Sequence, residues 1–381
     1  MSFSDKLQRY KNKTATEEEI EYIENEIEKT ELILDYLDEQ IEDDIHFDSS
    51  EEIFDHSKVQ IQEVKRSLRK HNMVTGGFLV FTVIILFSLL RVVSDYAVTK
   101  MYYNPNQHTF DSLAYDLEIS MHTYTQLHFP GYETVCNSNE NLGYGSYSTT
   151  LEQRNMFTDQ INYCLGTITR DTFKISNDFW TFIDENEFVY SSKPYALKRI
   201  DEYEQNKRYL MELPNYMNVK CNISFRDFVT SDQLAELRNE YKNIHFAWAG
   251  VRNNNNSEQI YPSIGFYMDR ESVNLLGMNA NYDYFELSDY LDNNEDLVTG
   301  EMYELHFQSL LNFQLDNLDY LRCLDDTNYY ETYYQNILDM VKKNGIECYG
   351  VVVIGTPKDI LDLCGEVDIC AFTIDGVNIK Y

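Results

Sequence analysis

The chain is short of positive charge. It carries 31 Lys and Arg against 64 Asp and Glu, a formal net charge of −33. Binding a phosphate backbone needs Lys and Arg, so this balance argues against nucleic acid as a direct partner. No cysteine precedes Cys136, and none of the seven stands in Cys-x-x-Cys spacing. Cys364 and Cys370 have no histidine near them, so no metal site is expected from the cysteines. They read as scattered core residues, with room for one or more bridges in an oxidising compartment. Nucleophile elbow, Walker loop and His-Glu-x-x-His are all missing. Gly143-Tyr144-Gly145 lacks the third glycine and the helix of a dinucleotide loop. Asp325-Asp326 and Asn293-Asn294-Glu295-Asp296 lack the glycine and spacing of a calcium loop. The chain is therefore read as a non-enzyme without cofactor or metal. His122, His128, Trp180 and Trp248 are expected as structural residues rather than ligands. The sequon Asn222-Ile223-Ser224 falls in a strand pattern and reads as chance.

Charge of either sign disappears between Asn72 and Leu90. Eleven of the residues from Phe78 to Leu90 are Leu, Ile, Val or Phe. As a helix the uncharged stretch is about 28 Å long, close to the roughly 30 Å of a bilayer core. Those side chains favour insertion by roughly 3 to 7 kcal/mol. One transmembrane helix is expected over 73–93. Lys58, Lys65, Arg66, Arg69, Lys70 and His71 precede it, while only Arg91 and Lys100 follow closely. Basic flanks stay cytoplasmic, so the N-terminal side is expected inside and 94–381 outside. Polar sequence precedes the span where a signal peptide would be apolar, so the anchor is expected to be uncleaved. Neither Met1-Ser2 nor Asn378-Ile379-Lys380-Tyr381 has a lipidation pattern.

Five segments follow from this. Residues 1–57 form an acidic helical head, with 19 acidic and 5 basic side chains. Residues 58–72 are a basic juxtamembrane segment, followed by the span at 73–93. Residues 94–210 are a membrane-proximal region, of which 106–175 is rich in turns and aromatics and is read as short strands and loops with alternation around Tyr124–Phe129, while Lys193 to Tyr209 is mixed. Residues 211–381 are the part with legible secondary structure.

In the head, Thr16-Glu17-Glu18-Glu19 spells a capping box. Ile20, Ile23, Ile27, Leu34, Leu37 and Ile41 then recur in heptad steps with one polar gap at Thr30. Glutamates crowd the other face. Phe3, Leu7 and Tyr10 suggest a short helix before it. The stretch from Ile53 to Leu68 suggests another running into the span. So small a head cannot bury the stripe alone. The stripe is read as a docking face for another protein, with Glu24, Glu28 and Glu31 at its rim; a coiled-coil dimer or a self-contained hairpin would also use it.

Beyond the membrane, Val219–Phe225 alternates as a strand. Ser231 can cap a helix through Tyr241, and Ile244–Val251 reads as a second strand. Tyr349–Gly355 is a buried strand, Thr356-Pro357 opens a helix, and Ile369–Val377 is a closing strand. Helices are expected over Met302–Leu321 and Tyr330–Lys343. The fold class is α+β: a short helical cytosolic head, one transmembrane helix, and an extracytoplasmic domain with two strand–helix–strand units.

Several stretches together resemble one family. They are the opening with Phe3, Lys6, Leu7, Tyr10 and the Thr16 cap; the basic lead-in; Tyr102-Tyr103-Asn104-Pro105; Leu127-His128-Phe129-Pro130-Gly131; Phe246-Ala247-Trp248-Ala249-Gly250-Val251-Arg252; and Tyr349–Thr356. The chain is similar to the sigma factor regulators of low-GC Gram-positive bacteria, membrane-anchored anti-sigma factors paired with extracytoplasmic-function sigma factors. The resemblance implies that the head holds such a sigma factor inactive at the cell membrane. It implies that the outer domain responds to envelope stress. Membrane lipid and a second membrane protein are further partners it admits. Unlike many anti-sigma heads of other families, this one has no His-x-x-x-Cys-x-x-Cys zinc site: the residues before the span hold His46, His56 and His71, in no usual ligand spacing, and no cysteine. The alternative is an anchored outer enzyme or wall-binding protein whose cytosolic tail is structural.

Overall fold

The structure is a computed structural model and describes residues 3–43, 51–110, 112, 114–176, 179, 188, 200–254, 263–269, 274–291, 296–325 and 327–379. It divides into two compact units, Met1–Phe87 and Ser88–Tyr381.

The first unit is helical. The short helix α1 (Phe3–Lys11) and the long α2 (Glu17–Asp43) form a hairpin. The capping box read from four residues is present: Glu19 N donates to Thr16 Oγ1 at 3.4 Å, and Thr16 N donates to Glu19 Oε2 at 3.0 Å. Thr30, the polar gap in the stripe, turns its hydroxyl onto Glu26 O at 2.7 Å. The third helix, α3 (Glu51–Thr99), continues across the division of the chain. The juxtamembrane segment and the span are thus parts of one helix. Its portion Lys65–Thr99 is long and apolar enough to cross a membrane, and its apolar side chains from Phe78 to Leu90 are exposed.

The second unit has two antiparallel sheets and is α+β. A helix, α4 (Asp116–His128), precedes a four-stranded meander in the order β1-β2-β3-β4 (Tyr132–Gly143, Ser146–Asn155, Ile161–Thr169, Thr172–Ile175). The meander agrees with the short strands expected here, and α4 departs from them. Nearly every side chain of α4 is buried, so it has no polar face to give a helical period. Its Thr, Tyr and Ile content then looks like strand alternation.

After α5 (Ile200–Glu212) comes the five-stranded sheet. The strands are β5 (Met217–Thr230), β6 (His245–Val251), β7 (Gly265–Phe266), β8 (Glu347–Gly355) and β9 (Ile369–Ile379). The helices are α6 (Ser231–Glu240), α7 (Gly300–Asp316), α8 (Leu318–Leu324), α9 (Tyr329–Asn344) and α10 (Pro357–Glu366). The cap of α6 is Thr230 with Gln233, one residue before the expected Ser231. Thr356 caps α10 with Pro357 behind it, as the sequence suggests. The expected helix from Met302 to Leu321 breaks at Asn317 into α7 and α8.

Both strand–helix–strand units are present, β5-α6-β6 and β8-α10-β9, but they interleave. The sheet order is β7-β6-β8-β5-β9, with every neighbouring pair antiparallel. β8 lies between the two strands of the first unit, and β5 between the two strands of the second. This is the split β-α-β arrangement, with β7 and three helices inserted between β6 and β8.

Both faces of the sheet are covered. Val219, Cys221, Ile223, Val351, Val353 and Phe246 belong to a core that also takes in α4 and the meander. On the opposite face Trp248, Tyr349, Val352 and Ile354 pack against Met156 and Phe157 from the β2–β3 turn. The alternation of β5 therefore does not mark a solvent side. Lys220, Asn222 and Ser224, its polar members, are buried. Asn222 in the sequon is thus inaccessible in the folded domain. Trp248 is a core residue, and its Nε1 donates to Gln126 O of α4 at 2.8 Å. Trp180 lies outside the described residues.

Candidate functional site

The stripe of α2 is divided by the hairpin. α1 folds back over its first turns. Arg9 reaches Glu19 at 3.1 Å, Lys6 lies 4.1 Å from the Tyr22 ring centroid, and the Tyr10 hydroxyl donates to Glu24 at 3.4 Å. Under this cover Ile23 is fully buried and Ile20 half-buried. Those two residues are an internal contact of the head. Further along, Ile27 is 44% and Leu34 57% exposed, and Glu28 and Glu31 beside them are exposed. Leu37 and Ile41 lie within the same helix, but their side chains are outside the described residues.

Three large residues of this half escaped the heptad count. Leu32, Ile33 and Tyr36 are all exposed. At 100° per residue Leu32 and Tyr36 fall on the far side from the stripe, and Ile33 falls beside it. The second half of α2 is therefore apolar on more than one side. The run Leu32-Ile33-Leu34 held that signal, but a search for a single face discards it.

The candidate ligands His122 and His128 and the seven cysteines all lie in the second unit. No group of His, Cys, Asp or Glu able to hold a metal ion occurs among the described residues. His122 and His128 do not converge. His122 donates through Nδ1 to Thr134 O at 3.3 Å, and His128 through Nδ1 to Ser263 O at 2.8 Å. Burial pushes both below the usual imidazole range, His128 to about 4. They are neutral core residues. All seven cysteines are buried, and burial raises Cys136 to about 11 and Cys364 to about 12. Such thiols are poor nucleophiles at neutral pH.

A surface groove of about 340 Å³ lies where β5 bulges away from β8 between Ser224 and Val229. Five carboxylates, Asp227 to Asp368, ring an apolar floor that includes Leu237 and Val367. Arg226 from the bulge is tied to Asp368 by its backbone N–H and by Nε, at 2.9 and 2.8 Å.

The strands and helices from the end of α5 to β9 coincide with a recognised unit. Residues 210–376 match the family model described as sigma factor regulator C-terminal. No curated protein and no solved structure matches the chain. The sigma factor regulators are regulatory rather than catalytic, which supports an anti-sigma role and a sigma factor as partner. Residues 210–376 are thus similar to the C-terminal domain of sigma factor regulators, in agreement with the resemblance read from the sequence.

Proposed function

We propose that the chain is a membrane-anchored anti-sigma factor. Its head sequesters an extracytoplasmic-function sigma factor in the cytosol, and its outer domain couples release to an envelope signal. The observation that carries this reading is the exposed apolar half of α2, within a chain whose other end is a sigma factor regulator domain. An inert tail has no use for Ile27, Leu32, Ile33, Leu34 and Tyr36 in water. Leu37 and Ile41 continue the same row. Apolar residues on more than one side suit a partner that encloses the helix rather than one that touches a single face. Glu28 and Glu31 stand at the rim, where they select a basic partner and speed its association. Glu24, already bound by Tyr10, belongs to the hairpin side, as do Ile20 and Ile23. The basic residues Lys65 to Lys70 before the apolar stretch favour a cytosolic head.

The test is Ile27→Asp and Leu34→Asp in the full chain, read by sigma-dependent transcription and by membrane fractionation. Each places a carboxylate in a desolvated contact, at a cost of about 2 to 4 kcal/mol of binding. Transcription is expected to become constitutive while the protein stays in the membrane. Full silencing by both variants would show that this half of α2 is not the interface. An anchored outer enzyme with a structural tail predicts no change in transcription at all.

A further inference from the structure

The β1–β2 turn is built from an unexpected residue. Gly143 pairs with Ser146, so Tyr144 and Gly145 are the two central residues. Both have positive φ, 52° and 68°, and Gly143 before them has 89°. Such a turn favours Asn-Gly or Gly-Gly, which take that backbone with little strain. A tyrosine does not. Its side chain is 42% exposed, and that of the neighbouring Leu142 is 58% exposed.

The turn is fastened to the end of α3. Tyr144 N donates to the Asp95 carboxylate, which also accepts from Thr99 Oγ1 at 3.4 Å. A side chain on Gly143 would meet Asp95 at 3.3 Å, and one on Gly145 would meet Tyr102 at 3.0 Å. The β3–β4 turn joins them. Arg170 N donates to Gly145 O at 2.6 Å, its guanidinium lies 5.6 Å from the Tyr102 ring centroid, and Asp171 accepts from Tyr103 N at 3.0 Å.

This attachment sets a depth. Asp95 is five residues past Leu90, the last of the uncharged stretch, and two past the end of the expected span at Val93, so between about 3 and 7 Å at 1.5 Å per residue. The headgroup layer on each side of the hydrocarbon is about as thick. A turn bonded to Asp95 therefore lies at headgroup level whenever α3 spans the bilayer. Tyr96, the next residue, is exposed, and Lys100 lies 4.7 Å from its ring centroid. Aromatic rings flanked by cations are the usual residents of that layer.

We propose that the β1–β2 turn is a membrane foot. Leu142 and Tyr144 enter the headgroup layer of the leaflet at the C-terminal end of α3, and Asp95 holds them there. The partner is a lipid surface, met by an apolar side chain and an amphipathic ring. The foot rests on the reading of α3 as a membrane span, and the experiment separates the two.

The full chain is reconstituted in vesicles of phosphatidylglycerol and phosphatidylethanolamine. An environment-sensitive fluorophore is placed by Leu142→Cys, Tyr144→Cys, Leu86→Cys or Lys342→Cys, the native cysteines being buried. Quenching by brominated acyl chains is expected to be at least about three-fold stronger at 142 and 144 than at 342, as for groups buried to interfacial depth. Leu86, inside the span, should be quenched most. Asp95→Ala should lower quenching at 142 toward the level at 342. If 142 and 144 match 342 while 86 is quenched, the foot is refuted and the span stands. If 86 is also unquenched, the span fails and the foot with it. If Asp95→Ala leaves the depth unchanged, Asp95 is not the fastening.

Discussion

An ammonium taken out of water is costly, and a single carboxylate rarely compensates in full. Lys220 is in that position. Its Nζ meets Asp375 Oδ2 at 2.6 Å and lies 5.3 Å from the Tyr132 ring centroid, with its side chain 4% exposed. Gly131 (φ +79°) leaves it room, since a Cβ there would come within 3.2 Å of Nζ. The pair stands on the face of β5 that a strand of ordinary alternation would give to solvent. Replacing the lysine by an apolar chain of similar length removes the charge and its desolvation together. Lys220→Met is therefore expected to leave the unfolding midpoint nearly unchanged. Asp375→Ala strands a buried cation and should cost about 3 to 5 kcal/mol. Denaturant unfolding of the detergent-solubilised chain measures both, and equal losses in the two variants would contradict the assignment.

Helix α4 shows the same inversion over thirteen residues. It carries His122, Gln126 and His128, and its partner α7 carries His306. His306 donates through Nδ1 to Tyr284 O at 2.7 Å and accepts at Nε2 from Gln126 at 2.9 Å. His128 accepts at Nε2 from the Tyr334 hydroxyl at 2.7 Å. Burial holds His128 and His306 at about 4, against about 6.5 in the unfolded chain. Between those values the unfolded state binds more protons, so stability falls as pH drops from about 6.5 to about 4. The full loss is about 3 kcal/mol for each of the two. Melting the protein at pH 7.5 and pH 5 should show a clear drop at pH 5, and His306→Gln should lessen it. A melting temperature that does not change with pH would mean these rings are not buried neutral.

The same packing decides which elements could be read in advance. The α2 cap needs only Thr16 and Glu19, so it shows in a local pattern. β8 shows because Val351 to Ile354 is apolar without interruption. α4 does not, because a helix covered on all sides loses the period by which helices are found. β5 was visible as a strand, yet its polar residues lie under a meander that no local signal ties to it. In the head, the heptad located Ile27 and Leu34 but had no means of seeing that α1 already covers Ile23.

One continuous core joins α4, the meander and the five-stranded sheet, so the recognised domain at 210–376 does not hold all of its own interior. Trp248 finds its acceptor on α4, and Met156 and Phe157 cover the back of the sheet. Residues 94–381 should therefore unfold in one cooperative transition. Residues 200–381 alone should exchange their amides quickly even at Val351–Val353, in the middle of the sheet. Slow exchange there in the shorter piece would show that the sheet stands without α4. The interleaved strand order also has a consequence in time. Asn222 of β5 pairs with Val352 on one side and Thr373 on the other, so the strand made first in this sheet waits for both of the last two. No half of the domain can settle before the rest exists, and such long-range pairing is slow. The second unit must therefore stay open, with its apolar strands unpaired, until β9 has been synthesised and has reached β5. In a cell, that interval is when folding helpers and proteases compete for it.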